Sequence, residues 1–190
     1  RGDWAGFSIV DGLGQSVQGA TLAVIGMGRI GQATARRAAL GLGMKIVYCN
    51  RSNVGPFDFP AERLPSITEA MARADVVSVH VPGGGTTPPV TGRHIAAMRR
   101  HAHLVNTARG DSIDQEALIE ALATGRIAGA GLDVYTDEPQ VPERLRAMDN
   151  VTLLPHIGSA TEQTRTAMGM LAVDNLEAFF DGRDLPCQVA

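Results

Sequence analysis

The sequence predicts an α/β domain built as a doubly wound parallel sheet, and three observations carry the prediction. Short continuous apolar runs alternate with helical patterns from residue 21 onward, the pattern of strands that are buried on both faces. The stretches that follow those runs hold the glycines, prolines and polar residues. The first run, Thr21-Leu-Ala-Val-Ile25, leads straight into Gly26-x-Gly28-x-x-Gly31 and then into an alanine- and arginine-rich stretch. Strand, tight turn and helix N-terminus follow one another in this order in a βαβ unit.

Taken in chain order, the apolar run 21–25 is a strand, 30–40 a helix and 45–49 a second strand. Residues 67–73 read as a helix, 75–80 as a strand, 91–98 as a helix and 102–106 as a strand. The pattern continues with a helix at 114–123 and strands at 129–134 and 151–154, and closes on a long helix from about 161 to 180. The expected loops are 50–60, 82–89, 107–112, 135–142 and 156–161. In doubly wound sheets ligands sit outside the carboxyl ends of the strands, where these loops lie. Without repeats or a low-complexity linker, one domain over 1–190 is the simplest count, with 1–16 and 183–190 as connecting or tail segments.

Composition narrows the partner. At 190 residues, 44% hydrophobic and 19% charged, the chain is long enough and apolar enough to fill one core. A net charge of −3 gives no basic field for nucleic acid, and no apolar run has the length of a membrane span. Cys49 and Cys187 have neither CxxC nor Cys/His spacing, which argues against zinc and against a disulfide framework and suits a reducing cytoplasm. No metal site is expected, and a small molecule is the expected partner. The chain opens at Arg1 rather than at a methionine, so the expectation is that it has been cut from, or processed out of, something longer.

The glycine run is suited to a dinucleotide pyrophosphate. Gly26 permits the tight turn out of the strand, Gly28 lets the backbone approach phosphates, and Gly31 lets the helix pack closely on the sheet. The helix N-terminus then offers N–H groups and a positive dipole end to the anion. Arg29, inside the loop, either reaches the pyrophosphate or lies exposed on the first turn. An NAD site of this kind usually has Asp or Glu about 20 residues after the glycines to hold the ribose hydroxyls. Here the second strand ends on Asn50-Arg51-Ser52. An amide, a guanidinium and a hydroxyl suit a 2′-phosphate and bring no negative charge to repel it, so NADP(H) is the expected cofactor. The competing reading is a solvated turn with NAD(H) held by Asn50 alone.

Three further residues follow three separate strands on the side where a ligand should lie. Arg109, in Leu104-Val-Asn-Thr-Ala-Arg-Gly110, offers a permanently charged planar fork for a carboxylate and an adjacent carbonyl. His156, in Pro155-His-Ile-Gly-Ser-Ala-Thr161, offers an imidazole that can give a proton to a carbonyl oxygen or take one back. Glu138, in Asp133-Val-Tyr-Thr-Asp-Glu-Pro139, can hydrogen-bond an imidazole and favour its protonated form. Each has a plainer reading: His156 as a cap, Glu138 as a surface acid, and Arg109 paired with Asp111 or Asp133.

The segments 26–31, 104–110, 129–139 and 155–161, in this order and spacing, resemble the D-isomer-specific 2-hydroxyacid dehydrogenases, and the resemblance runs the length of the chain. It implies a Rossmann-type cofactor domain with Arg109 as substrate clamp, His156 as general acid/base and Glu138 as its partner. It also implies that Asp133 and the loop at Asn106-Thr107 hold the nicotinamide carboxamide. The positions expected to line the dinucleotide are Gly26, Gly28, Arg29, Ile30, Gly31, Asn50, Arg51, Ser52, Val81, Pro82, Thr107, Ala108, Asp133, His156 and Gly158. The wording of 155–161 together with 50–52 looks like the glyoxylate/hydroxypyruvate reductase and glycerate dehydrogenase branch, an oxidoreductase acting on a 2-keto/2-hydroxy acid pair. Relatives dimerise through this domain, and the segment 1–9 with Trp4 and Phe7 is expected either at such an interface or against another lobe. The family's substrate domain is absent from these residues, so the chain is expected to bind dinucleotide and to turn over poorly on its own. The run Pro82-Gly-Gly-Gly-Thr-Thr-Pro-Pro89 departs from the family's wording after the third strand, at the expected adenine-side wall. A dinucleotide-sensing interaction module of the corepressor type, which shares the fold, is the alternative from a different functional class.

Overall fold

The computed structural model describes residues 6–10 and 12–188. Trp4 and the extreme ends of the segments 1–16 and 183–190 therefore lie outside the described residues. The chain divides into two compact units, Arg1–Leu154 and Pro155–Ala190. In the first, β1 (Thr21–Ile25), α1 (Arg29–Leu42), β2 (Lys45–Cys49) and β3 (Ala61–Arg63) are followed by α2 (Ile67–Arg73), β4 (Val76–Val79) and α3 (Gly92–Ala97). It continues with β5 (His103–Asn106), α4 (Gln115–Ala123), β6 (Gly129–Leu132), α5 (Glu143–Arg146) and β7 (Val151–Leu153).

The strands form one seven-stranded sheet in the order β3-β2-β1-β4-β5-β6-β7, and every pairing is parallel. The winding reverses at β1, which lies between β2 and β4, so the loops leaving β1 and β4 part company there and open a crevice. Alternation along β1 shows why both faces must be covered. Leu22 and Val24 pack in a cluster with Ala35 and Ala38 of α1, while Ala23 and Ile25 join the cluster that contains Met71, Ile95, Leu118 and Ile119 from α2, α3 and α4. Side-chain caps fix helix starts away from the crevice: Ser66 Oγ accepts from Glu69 N–H and Asp114 Oδ1 from Ala117 N–H, each at 3.1 Å.

Two elements had no signal in the sequence. Strand β3 has three residues, Ala-Glu-Arg, without an apolar run; it forms by adding to the edge of β2, with Tyr48 opposite Arg63. Helix α5 is a single turn. In the second unit Thr161 caps α6 (Glu162–Phe180) by accepting from Thr164 N–H at 3.1 Å. Much of the apolar surface of α6 is exposed, including Met168, Leu176, Phe179 and Phe180. Phe7 and Ile9 are exposed as well. Among the described residues no helix is long and apolar enough to cross a membrane.

Candidate dinucleotide site

The three glycines of the first turn meet three different physical demands. Gly26 has φ +96°, and a Cβ there would lie 2.8 Å from the His80 carbonyl oxygen, so both conformation and space require glycine. Gly31 sits in the first turn of α1, where a Cβ would overlap the Gly26 carbonyl oxygen and stand 3.2 Å from Val24 Cγ1. Gly28 is the opposite case: nothing lies within 4 Å of a Cβ built on it. It is the N-cap of α1 and makes no side-chain capping bond. A fourteen-residue helix thus presents its N-terminus to open space beside a bare backbone, the form of a phosphate cradle. These residues fit a dinucleotide pyrophosphate.

The loop after β2 is tied to that cradle. Asn50 Oδ1 accepts from Met27 N–H at 3.0 Å, and Asn50 Nδ2 donates to Ser52 O at 3.1 Å and Ser52 Oγ at 3.3 Å. The amide expected to face a ribose is thus engaged in bracing the glycine turn. Arg51 and Ser52 are exposed. A residue the sequence did not single out, Arg63, reaches the same loop: Nη2 donates to Asn50 O at 3.0 Å, and Nη1 donates to Asn53 Oδ1.

Across the switch point a cleft of about 580 Å³ is lined by Ile30, by His80–Gly84 after β4 and by Thr107, Ala108, Arg109 and Asp111 after β5. It brings together six residues expected from sequence: Ile30, Val81, Pro82, Thr107, Ala108 and Arg109. The Arg109 loop is held from within by buried Asn106, whose Nδ2 donates to Arg109 O at 2.8 Å and whose Oδ1 accepts from Ala108 N–H at 3.0 Å. Arg109 itself is exposed, with Nη1 donating to Ala108 O. Asp133 is buried, and its N–H donates to Asn106 O at 3.0 Å. Glu138 Oε1 accepts from Tyr135 N–H at 3.0 Å.

Two cleft residues had no sequence signal beyond their position. Asp111 Oδ2 accepts from Gly84 N–H at 2.5 Å, and a Cβ on Gly83 would overlap the same carboxylate. Gly83 and Gly84 therefore both face Asp111, the first by close approach and the second through its N–H. His80, half-buried, shares a 2.9 Å hydrogen bond with Ser78 Oγ, and burial pushes its imidazole pKa below the usual histidine range. His156 and Gly158 belong to the second unit. His156 has φ +53° and is the one non-glycine residue with positive φ among the described residues. That backbone costs of order 1–3 kcal/mol and recurs where function demands it.

A nucleotide-binding α/β sheet with its cradle at the switch point defines a class, and comparison with known proteins specifies it. Residues 1–158 match the family model described as D-isomer specific 2-hydroxyacid dehydrogenase, NAD binding domain, and the chain belongs to that family. It is 44% identical over 177 residues to glyoxylate reductase of Thermococcus litoralis, covering 92% of this chain and 53% of the relative. The TT0316 protein of Thermus thermophilus superposes with a TM-score of 0.90 at 45% identity, over 100% of this chain and 60% of that one. An NADPH-dependent glyoxylate/hydroxypyruvate reductase of Sinorhizobium meliloti, solved with NADP and malonate, gives a TM-score of 0.85 at 40% identity, over 92% of this chain and 54% of that one. The chain spans about half the length of the curated relatives it matches.

Proposed function

We propose that this chain is the cofactor-binding part of an NADPH-preferring reductase that converts glyoxylate or hydroxypyruvate to the corresponding 2-hydroxy acid. The observation that carries the reading is the cleft at the switch point: the turn with the open backbone of Gly28 leaves β1, the Arg109 loop leaves β5, and β4 lies between those two strands in one sheet. Gly26, Gly28 and Gly31, with Arg29 and Ile30, hold the pyrophosphate; Arg51 and Ser52 bind the 2′-phosphate; Val81 and Pro82 flank the adenosine; and Thr107, Ala108, Asp133 and Gly158 contact the nicotinamide half. The chemistry supplied by the bound cofactor is hydride at the keto carbon. Arg109 binds the substrate carboxylate and polarises the adjacent carbonyl. His156, oriented by Glu138, gives its proton to the carbonyl oxygen and so completes the 2-hydroxy acid.

The absence of a carboxylate from the 50–53 loop, with Asn50 turned onto Met27, supports NADP(H) over NAD(H). A paired titration of the chain tests this, with at least tenfold tighter NADPH expected; NADH bound as tightly would overturn it. Reduction of glyoxylate and hydroxypyruvate by the complete enzyme, followed as loss of NADPH absorbance, tests the reaction. Turnover of neither acid would reject the substrate class.

A further inference from the structure

We infer that Arg63 is a positioning residue for cofactor selectivity, holding the Asn50–Asn53 loop in the form that accepts a 2′-phosphate; the inference rests on the NADP(H) reading above. Its place follows from β3. Arg63 pairs opposite Tyr48, and Leu64 N–H donates to Tyr48 O at 2.8 Å. The short edge strand thereby delivers a guanidinium beside the carboxyl end of β2, where the chain turns at Asn50.

One planar fork there gathers three acceptors from four consecutive residues. Nη2 donates to Asn50 O at 3.0 Å and reaches Arg51 O at 3.4 Å, and Nη1 donates to Asn53 Oδ1. Two carbonyl oxygens that would repel a phosphate are engaged by a cation instead. Asn50, gripped through its carbonyl by Arg63, is gripped through its side chain by the glycine turn, since Oδ1 accepts from Met27 N–H at 3.0 Å. Arg63, the selectivity loop and the phosphate cradle form one connected set of hydrogen bonds. Ser52 Oγ accepts from Asn50 Nδ2, which leaves the hydroxyl proton to be donated to a further acceptor.

The local charges agree. Asp58 is paired with Arg36 at 2.7 Å, and Glu62, next to Arg63, is held by both Nη atoms of Arg73 at 2.6 and 2.7 Å. The acids nearest the loop in sequence are thus paired with other arginines rather than with Arg51 or Arg63. A lysine at 63 would supply the charge without the fork, because a single ammonium cannot meet these acceptors in the same planar geometry.

The test is the NADPH-to-NADH affinity ratio of the chain, measured by titration for the parent, Arg63→Met and Arg63→Lys. The ratio should fall at least fivefold in both variants, with NADH affinity within twofold of the parent. A parent without NADPH preference sinks the cofactor reading and the inference together. A parent with that preference and an Arg63→Met variant that keeps it sinks the inference alone. Equal losses of NADPH and NADH reduce Arg63 to a structural brace, and a lysine variant at the parent ratio attributes the effect to charge; either result overturns positioning. Should Arg63→Met fail to fold, Arg63→Lys reads the same ratio.

Discussion

Alanine at Gly28 and at Gly31 should fail in opposite ways, although the two positions lie three residues apart in the same turn. Gly28 has φ −75° and ψ −168°, a backbone that any L-residue adopts, and a Cβ there meets nothing within 4 Å. Alanine is the poorer N-cap by roughly 0.5–1 kcal/mol, while the stiffer unfolded chain returns about 0.4–1 kcal/mol. The two terms nearly cancel, so the melting temperature of Gly28→Ala should stay within a degree or two of the parent. Its added methyl nevertheless occupies the open space proposed for the pyrophosphate. Disturbing one charge-assisted hydrogen bond costs about 1.5–3 kcal/mol, so NADPH affinity should fall at least tenfold.

At Gly31 the Cβ overlaps a backbone oxygen and stands 3.2 Å from both Gly26 C and Val24 Cγ1. A carbonyl cannot rotate away as a side chain can, so α1 must lift from the sheet, which places the cost near the upper end of the roughly 1–3 kcal/mol for overpacking. At about 2–4 °C per kcal/mol for a chain of this size, Gly31→Ala should melt roughly 4–12 °C lower and lose affinity as a consequence of the displaced helix. Thermal melts of the unliganded variants and calorimetric titration with NADPH separate the two cases. A Gly28→Ala variant that binds NADPH like the parent would refute the assignment of the open space to phosphate. One that melts as low as Gly31→Ala would refute the division of roles.

Arg51→Ala should weaken NADPH by roughly 1.5–3 kcal/mol, the value of a charge-assisted bond, and leave NADH unchanged in the same titration; equal losses would make Arg51 a general phosphate contact. In the complete enzyme, His156→Asn, which tolerates positive φ, should retain the parent melting temperature and dinucleotide affinity while turnover falls by about two to four orders of magnitude. Full turnover in that variant would remove His156 from the chemistry. Burial works to raise the Asp75 carboxyl, but hydrogen bonds from His101, Thr21 N–H and Arg99 outweigh it and hold the pKa below the usual range. Its stabilising contribution is therefore complete above a pH of about 3.9, the ordinary aspartate value, and is lost as pH falls through the lower folded value. Acid titration of the melting temperature should show a shallower decline below that pH in Asp75→Asn, and an unchanged slope would refute the linkage.

The sheet was legible because its central strands are buried on both faces and so are written as apolar runs. The six strands expected from those runs are β1, β2, β4, β5, β6 and β7. Strand β3 escaped because a three-residue edge strand needs no apolar content; register with β2 alone creates it. The glycine turn was legible because Gly26 and Gly31 exclude side chains for separate reasons, a positive φ and a close helix contact, while Gly28 leaves open space beside the helix N-terminus. Asn50 was found, but its partner was not, because a hydrogen bond to Met27 spans 23 positions of sequence. Asp111 escaped for the same reason: Gly84, whose N–H donates to it, lies 27 residues upstream, after a different strand.

Sequence spacing thus singles out residues proposed to act on the ligand directly, since each must be of one chemical type at one strand end. Residues that act through another residue leave weaker marks, because their positions are set by which strands are neighbours in the sheet. Arg63 and Asp111 are of this second kind, and each reaches a loop that leaves an adjacent strand: β3 beside β2, and β5 beside β4. Both contacts fix main-chain atoms, through carbonyl oxygens in one case and an N–H in the other. A loop braced through its backbone presents the same geometry whatever side chains its outer face carries. The exposed side chain of Arg51 is then free to change with little effect on the cradle at Gly26–Gly31, whereas a change at Asn50, which bonds Met27 and Ser52, should disturb loop and cradle together.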